Sequence, residues 1–131
     1  MIDYNKANDA PILKKEFFAR SADKVAPDLI GCCVFTIVDG KRAGGMIVET
    51  EAYDDKDPFA HCYPGADAFW RKESKPMFFE PGNAYIYRTG QLHSLNFVCD
   101  SKGVGSAVLI RAIVPTFNPK LMYKRRISVK K

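Results

Sequence analysis

A chain of 131 residues with 47% hydrophobic and 12% aromatic content suits one domain with a modest core, and argues against disorder. The net charge of +5 is concentrated at the end: Lys120, Lys124, Arg125, Arg126, Lys130 and Lys131 follow one another with no acid between them, and the rest holds 14 basic residues against 15 acidic ones. Such a tail fits either a phosphate backbone or a plain solvated terminus. No apolar run approaches the length of a membrane span, so no membrane partner is expected. Met1-Ile2-Asp3-Tyr4-Asn5-Lys6 lacks the basic-then-apolar plan of a signal peptide, which predicts a cytoplasmic protein.

In chain order, residues 1–12 read as a poorly ordered lead-in, and residues 13–20, with Phe17 and Phe18, as a short segment packing on the body. Ser21 is a helix N-cap, Gly31 a stop, and Pro27 shortens or kinks the helix between them. Residues 32–38 are a β-rich run, and Asp39-Gly40 is a hairpin signal. Gly44-Gly45 predicts a bulge or a close backbone approach.

The strand Met46-Ile47-Val48-Glu49-Thr50-Glu51-Ala52-Tyr53 follows. Its alternation puts Glu49, Glu51 and Tyr53 on one face. Two carboxylates on an otherwise apolar strand are costly to bury without partners, which makes this strand the first candidate for a site. Residues 54–75 are a long irregular loop, of a length usually associated with function or motion. Next come a strand over residues 84–88 with Tyr85 and Tyr87 on one face, a tight turn at Thr89-Gly90-Gln91, and a strand through Asn96. A buried strand over residues 104–114 carries one charge, Arg111, and is expected to end at Pro115; the remainder reads as a short basic helix. Cys32, Cys33, Cys62 and Cys99 lack metal-ligand spacing even with His61 and His93, so reduced thiols and no metal are expected.

Several stretches together resemble one family. They are Val25-Ala26-Pro27-Asp28-Leu29-Ile30-Gly31, Ile47-Val48-Glu49-Thr50-Glu51-Ala52-Tyr53, Asp57-Pro58-Phe59-Ala60-His61, Met77-Phe78 with Pro81-Gly82, Tyr85-Ile86-Tyr87, Leu95-Asn96-Phe97-Val98, and Gly105-Ser106-Ala107-Val108-Leu109-Ile110-Arg111-Ala112. In order and spacing they resemble the 3-methyladenine DNA glycosylases of the alkyladenine type. The resemblance implies a single α+β domain over residues 1–131, built on a curved, open-barrel-like antiparallel sheet with a protruding hairpin and a few short helices; residues 116–131 are its basic C-terminal segment.

The implied activity is a monofunctional DNA glycosylase of base-excision repair, associated with the nucleoid. It would hydrolyse the N-glycosidic bond of alkylated or deaminated purines (3-methyladenine, 7-methylguanine, hypoxanthine) flipped out of double-stranded DNA, without a cofactor. The alternative is a catalytically impaired, truncated member that binds DNA without excision. By resemblance Glu51 is the catalytic base. Tyr53, His61, Tyr87, Asn96 and Arg111 form the base pocket, and Glu49 is a structural hydrogen-bonder. Arg88, Thr89, Gly90 and Arg71 are candidates for the wedge or for backbone contact. The hairpin is one residue shorter than the family's usual pattern, and the loop after His61 is longer. An uncovered sheet edge leaves room for a homo-oligomer.

Overall fold

The computed structural model describes residues 10–128; most of the expected lead-in and the last two lysines lie outside them. Five strands form one antiparallel sheet in the order β1-β2-β5-β4-β3: β1 (Cys33–Val38), β2 (Lys41–Asp54), β3 (Ala84–Thr89), β4 (Leu92–Val98) and β5 (Ser106–Phe117). Four short helices accompany the curled sheet: α1 (Lys15–Phe18), α2 (Ala22–Leu29), α3 (Ala68–Glu73) and α4 (Pro119–Ser128). The fold is α+β, as the sequence predicts. No helix among the described residues is long and apolar enough to cross a membrane.

Asp39 and Gly40 both adopt positive φ, 50° and 71°, in the tight turn whose twist suits a two-residue hairpin between β1 and β2. Gly44 and Gly45 combine both predicted features. The register of β2 on β5 shifts between them. A Cβ on Gly44 would collide with the Val34 carbonyl, and one on Gly45 with the Val114 carbonyl. Three strands therefore approach here more closely than any side chain allows.

β5 does not end at Pro115. It continues to Phe117, with Pro115 opposite Gly45 at the register shift. β4 pairs only with Ala107, Val108 and Leu109, so at Pro115 this strand has a neighbour on one side alone and a missing N–H is tolerated. The same short β4–β5 pairing leaves residues 86–95 of the β3–β4 hairpin paired only with each other, and the hairpin protrudes from the sheet.

The core lies on both faces of the sheet. Phe18, Val25 and Leu29 of the first two helices pack on Ile47, Cys99 and Val108. On the opposite face Ala60, Cys62 and Met77 of the long loop pack on Tyr85, Val98 and Ala107. The strict alternation of Ala107 and Val108 divides the two. Burial raises the thiol pKa to about 11 in Cys62 and about 12 in Cys99, so both are inert neutral side chains.

Candidate active site

Thr50 donates its hydroxyl to the Ala26 carbonyl at 2.9 Å, which fixes that face of β2 against α2. Glu51 and Tyr53 consequently project on the other face. Tyr53 packs beside the loop-side core, and its Oη donates to Glu51 Oε2 at 2.7 Å. Partial burial, followed by the adjoining carboxylate, raises the Tyr53 pKa, so the phenol keeps the proton it donates. Arg111 Nη1 lies 3.3 Å from the same Oε2. Glu51 Oε1 receives no hydrogen bond from the described residues.

A cleft of about 280 Å³ opens beside this group. Tyr53, His61, Tyr87 and Asn96 all line it, together with Tyr85, Met77, Ser94, Leu109, Thr89 and Phe59. The walls are aromatic and mutually braced. The His61 ring lies 5.2 Å from that of Tyr87, and Tyr87 is 6.5 Å from Tyr85. On its other side His61 stacks on Trp70 at 4.3 Å with an interplanar angle of 17°. Trp70 stands on α3, whose N-terminus is capped by Asp67 accepting from the Phe69 N–H.

At the floor, Asn96 is buried and its Nδ2 donates to the carbonyls of Tyr85 and Ser94, both at 3.3 Å. Tyr85 Oη donates to the Glu73 carbonyl at 3.0 Å, and burial pushes its pKa up to about 12. That bond joins the hairpin to the end of α3.

Arg111 is placed differently from the expectation. It is exposed and lies outside the aromatic cleft, in a neighbouring groove shared with His93 and Arg126. The cause is a pair of compensating bulges. Val48 is the extra residue on β2 between Ile47 and Glu49, and Arg111 the extra residue on β5 between Ala112 and Ile110. A bulge re-aims its side chain, here toward Glu51 rather than into the cleft. Glu49 is exposed, and no hydrogen bond or ion pair joins it to another of the described residues.

Of the expected wedge residues, Thr89 reaches the cleft. Gly90 forms the turn with φ 61°. Arg88 Nε donates to the Gly90 carbonyl at 2.8 Å, folded back on its own hairpin. Arg71 is exposed on α3, away from the cleft lining. Tyr85, Ser94 and Leu109 join the expected residues, and each stands two positions from one of them: Tyr87, Asn96 and Arg111. Phe59 in a turn, Met77 in a single 3-10 turn and Trp70 on α3 carry no such period.

A buried-floored aromatic slot therefore stands beside a hydrogen-bonded carboxylate. The chain matches the family model of the methylpurine-DNA glycosylases (MPG) over residues 16–131, and it belongs to that family. It is 50% identical over 117 residues to a protein of Rhodopseudomonas palustris (strain BisB18), covering 88% of this chain and 54% of the relative. It is 46% identical over 112 residues to a protein of Nitrosospira multiformis, covering 85% and 53%, and 42% identical over 100 residues to one of Rubrobacter xylanophilus, covering 76% and 50%. Each of the three bears the name "Putative 3-methyladenine DNA glycosylase". The chain spans about half the length of the curated relatives it matches.

Proposed function

We propose that this chain carries the base-recognition and hydrolytic site of a monofunctional DNA glycosylase acting on alkylated or deaminated purines. The observation that carries the reading is the bond from Tyr53 Oη to Glu51 Oε2, which ties a carboxylate to the wall of an aromatic cleft. A target base cannot be reached inside the duplex, so it must leave the stack and enter a slot of its own size. The cleft lies near the lower end of ligand pockets, roughly 300–1,000 Å³, which suits a bicyclic base better than a whole nucleotide. Tyr53, His61 and Tyr87 offer π faces that bind a cationic alkylated purine more strongly than a neutral one. Asn96 at the floor faces the edge of the base and supplies the polar discrimination.

In the hydrolytic step Glu51 Oε1 accepts a proton from water while the oxygen bonds to the deoxyribose anomeric carbon. The glycosidic C–N bond breaks and its electron pair leaves with the purine. An alkylated purine is already cationic and departs as a neutral base, so for it the site needs a base more than an acid; hypoxanthine departs as its anion and takes its proton from solvent water. Tyr53 and Arg111 hold Oε2 and thereby aim Oε1. The carboxylate also stabilises the oxocarbenium-like sugar as positive charge develops. The products are a free base and an abasic site, which places the protein in base-excision repair, on DNA and at the nucleoid.

The small hairpin tip, with Arg88 turned onto Gly90, favours a second reading: a member that binds damaged DNA without excising. The sheet edge at β1 exposes Ile37 and Val38 and is where a second copy would pair; a concentration-dependent mass in light scattering tests that.

The experiment for the main reading is release of free base from duplexes carrying 3-methyladenine, 7-methylguanine or hypoxanthine, against an undamaged control. Release from the damaged duplexes is expected. Binding of all of them without release contradicts it and leaves the second reading.

A further inference from the structure

Extruding a base leaves a gap in the duplex, and proteins that hold such a distortion fill it with an apolar side chain. The tip of the protruding hairpin offers nothing of that kind: it is Thr89-Gly90-Gln91, Arg88 is already bonded to the Gly90 carbonyl at 2.8 Å, and the exposed Leu92 beside the tip lines the neighbouring groove rather than the cleft. On the loop side of the cleft the situation is reversed. Phe59 lines the same opening as Thr89, yet is 92% exposed, more than any other large hydrophobic residue described. An aromatic ring left almost wholly in water adds little to the core, and this one stands at the mouth of the cleft, where it would meet whatever enters.

The backbone beneath Phe59 is fixed. Asp54 Oδ1 accepts from the N–H groups of Lys56 and Asp57, at 2.8 and 3.1 Å, and Asp57 Oδ1 accepts from the Phe59 N–H at 2.9 Å. Ala60, the next residue, is buried, and its N–H donates to the Asp57 carbonyl at 3.0 Å. His61, one residue further, is already a wall of the cleft. The ring therefore projects from a braced turn directly beside the slot that would receive the base.

We propose that Phe59, and not the β3–β4 hairpin tip, inserts into the DNA stack and fills the space vacated by the extruded base. Hairpin and loop then have separate tasks: Tyr85 and Tyr87 supply cleft walls, and the Asp57–His61 turn supplies both a wall, His61, and the plug, Phe59. The inference rests on the glycosylase reading above, and it specifies which residue engages the duplex.

The test compares full-length wild type, Phe59→Ala and Phe59→Trp on the same damaged purine in duplex and in single-stranded DNA. A single strand has no stack to plug. Phe59→Ala is expected to lower the ratio of the duplex rate to the single-strand rate about tenfold or more, and Phe59→Trp to restore that ratio. Equal losses on both substrates would mean that Phe59 merely shapes the cleft, and would overturn the proposal, as would an unchanged duplex rate. A second readout is independent of cleavage. 2-Aminopurine placed beside the lesion should brighten on binding wild type, because its neighbour is unstacked, and stay dim with Phe59→Ala. If wild type releases no base at all, the glycosylase reading fails, and the 2-aminopurine signal still decides for or against Phe59.

Discussion

Tyr53 donates its phenolic proton to Glu51 Oε2 at 2.7 Å across two positions of one strand. A residue that forms the wall of the slot thus also aims the carboxylate beside it. Tyr53→Phe separates the two tasks, because the ring stays and the bond goes. A hydrogen bond to a charged group contributes roughly 1.5–3 kcal/mol, and half-exposure argues for the low end, so base release in a single turnover is expected to slow about tenfold. Affinity for the damaged duplex should change little. Loss of affinity with an unchanged single-turnover rate would assign Tyr53 to binding alone.

Arg111 contacts the same oxygen at 3.3 Å, but both partners are about half-exposed. Exposed ion pairs contribute about 0–1 kcal/mol and are screened by salt. Arg111→Ala should therefore lower folding stability by no more than about 1 kcal/mol in urea unfolding. Its effect on base release should be smaller than that of Tyr53→Phe and should shrink as salt is added.

Trp70 is the only tryptophan in the chain, and it stacks on His61 at 4.3 Å. Its emission therefore reports on one wall of the cleft. Titration with the cationic nucleoside 7-methylguanosine at mildly acidic pH should change the intensity saturably. The titration with guanosine should be weaker, because a neutral base gains less from the aromatic faces.

Burial raises the Tyr85 pKa from 10.0 to about 12. A folded pKa above the unfolded one means that the folded state favours the protonated phenol. The linked stability is fully present below about pH 10 and is lost as pH rises toward 12. Tyr85→Phe removes this slope, so stability measured against pH between those limits should fall less steeply in the variant. Identical slopes would place the shift elsewhere.

Gly45 lies where β1, β2 and β5 come together, and a Cβ there would meet the Val114 carbonyl. Gly45→Ala forces the β2 and β5 backbones apart and should cost about 2–3 kcal/mol in denaturant unfolding. The aromatic cleft lies away from that end of the sheet, so folded variant should keep its Trp70 response.

How far the sequence leads can be judged from these same residues. The β1–β2 turn, the glycine pair and the strand carrying Glu51 and Tyr53 are local signals, set by turn chemistry and by the two-residue period of a strand. The shared face of Tyr85 and Tyr87 follows from the same period. Arg111 was misplaced because its direction depends on bulges in two strands some 60 residues apart, and a register shift leaves no mark in either strand alone. Pro115 failed as a stop for a related reason: it ends a strand only where both neighbours need its missing N–H. Trp70, on the short helix α3, and Phe59, in the turn before His61, have no strand period that would set them at the cleft. Their positions come from the capping by Asp67 and the turn bonds of Asp54 and Asp57.

The central claim is that Glu51 activates water for a base held in the aromatic cleft. Glu51→Gln keeps the shape of the side chain and can still accept from Tyr53, but it cannot take a proton. The direct measurement is single-turnover release of free base from a duplex carrying 3-methyladenine or hypoxanthine, with binding to that duplex followed in parallel. The account predicts that Glu51→Gln binds the damaged duplex about as well as wild type and that its release falls by roughly 10²-fold or more. Release by Glu51→Gln at the wild-type rate would contradict it.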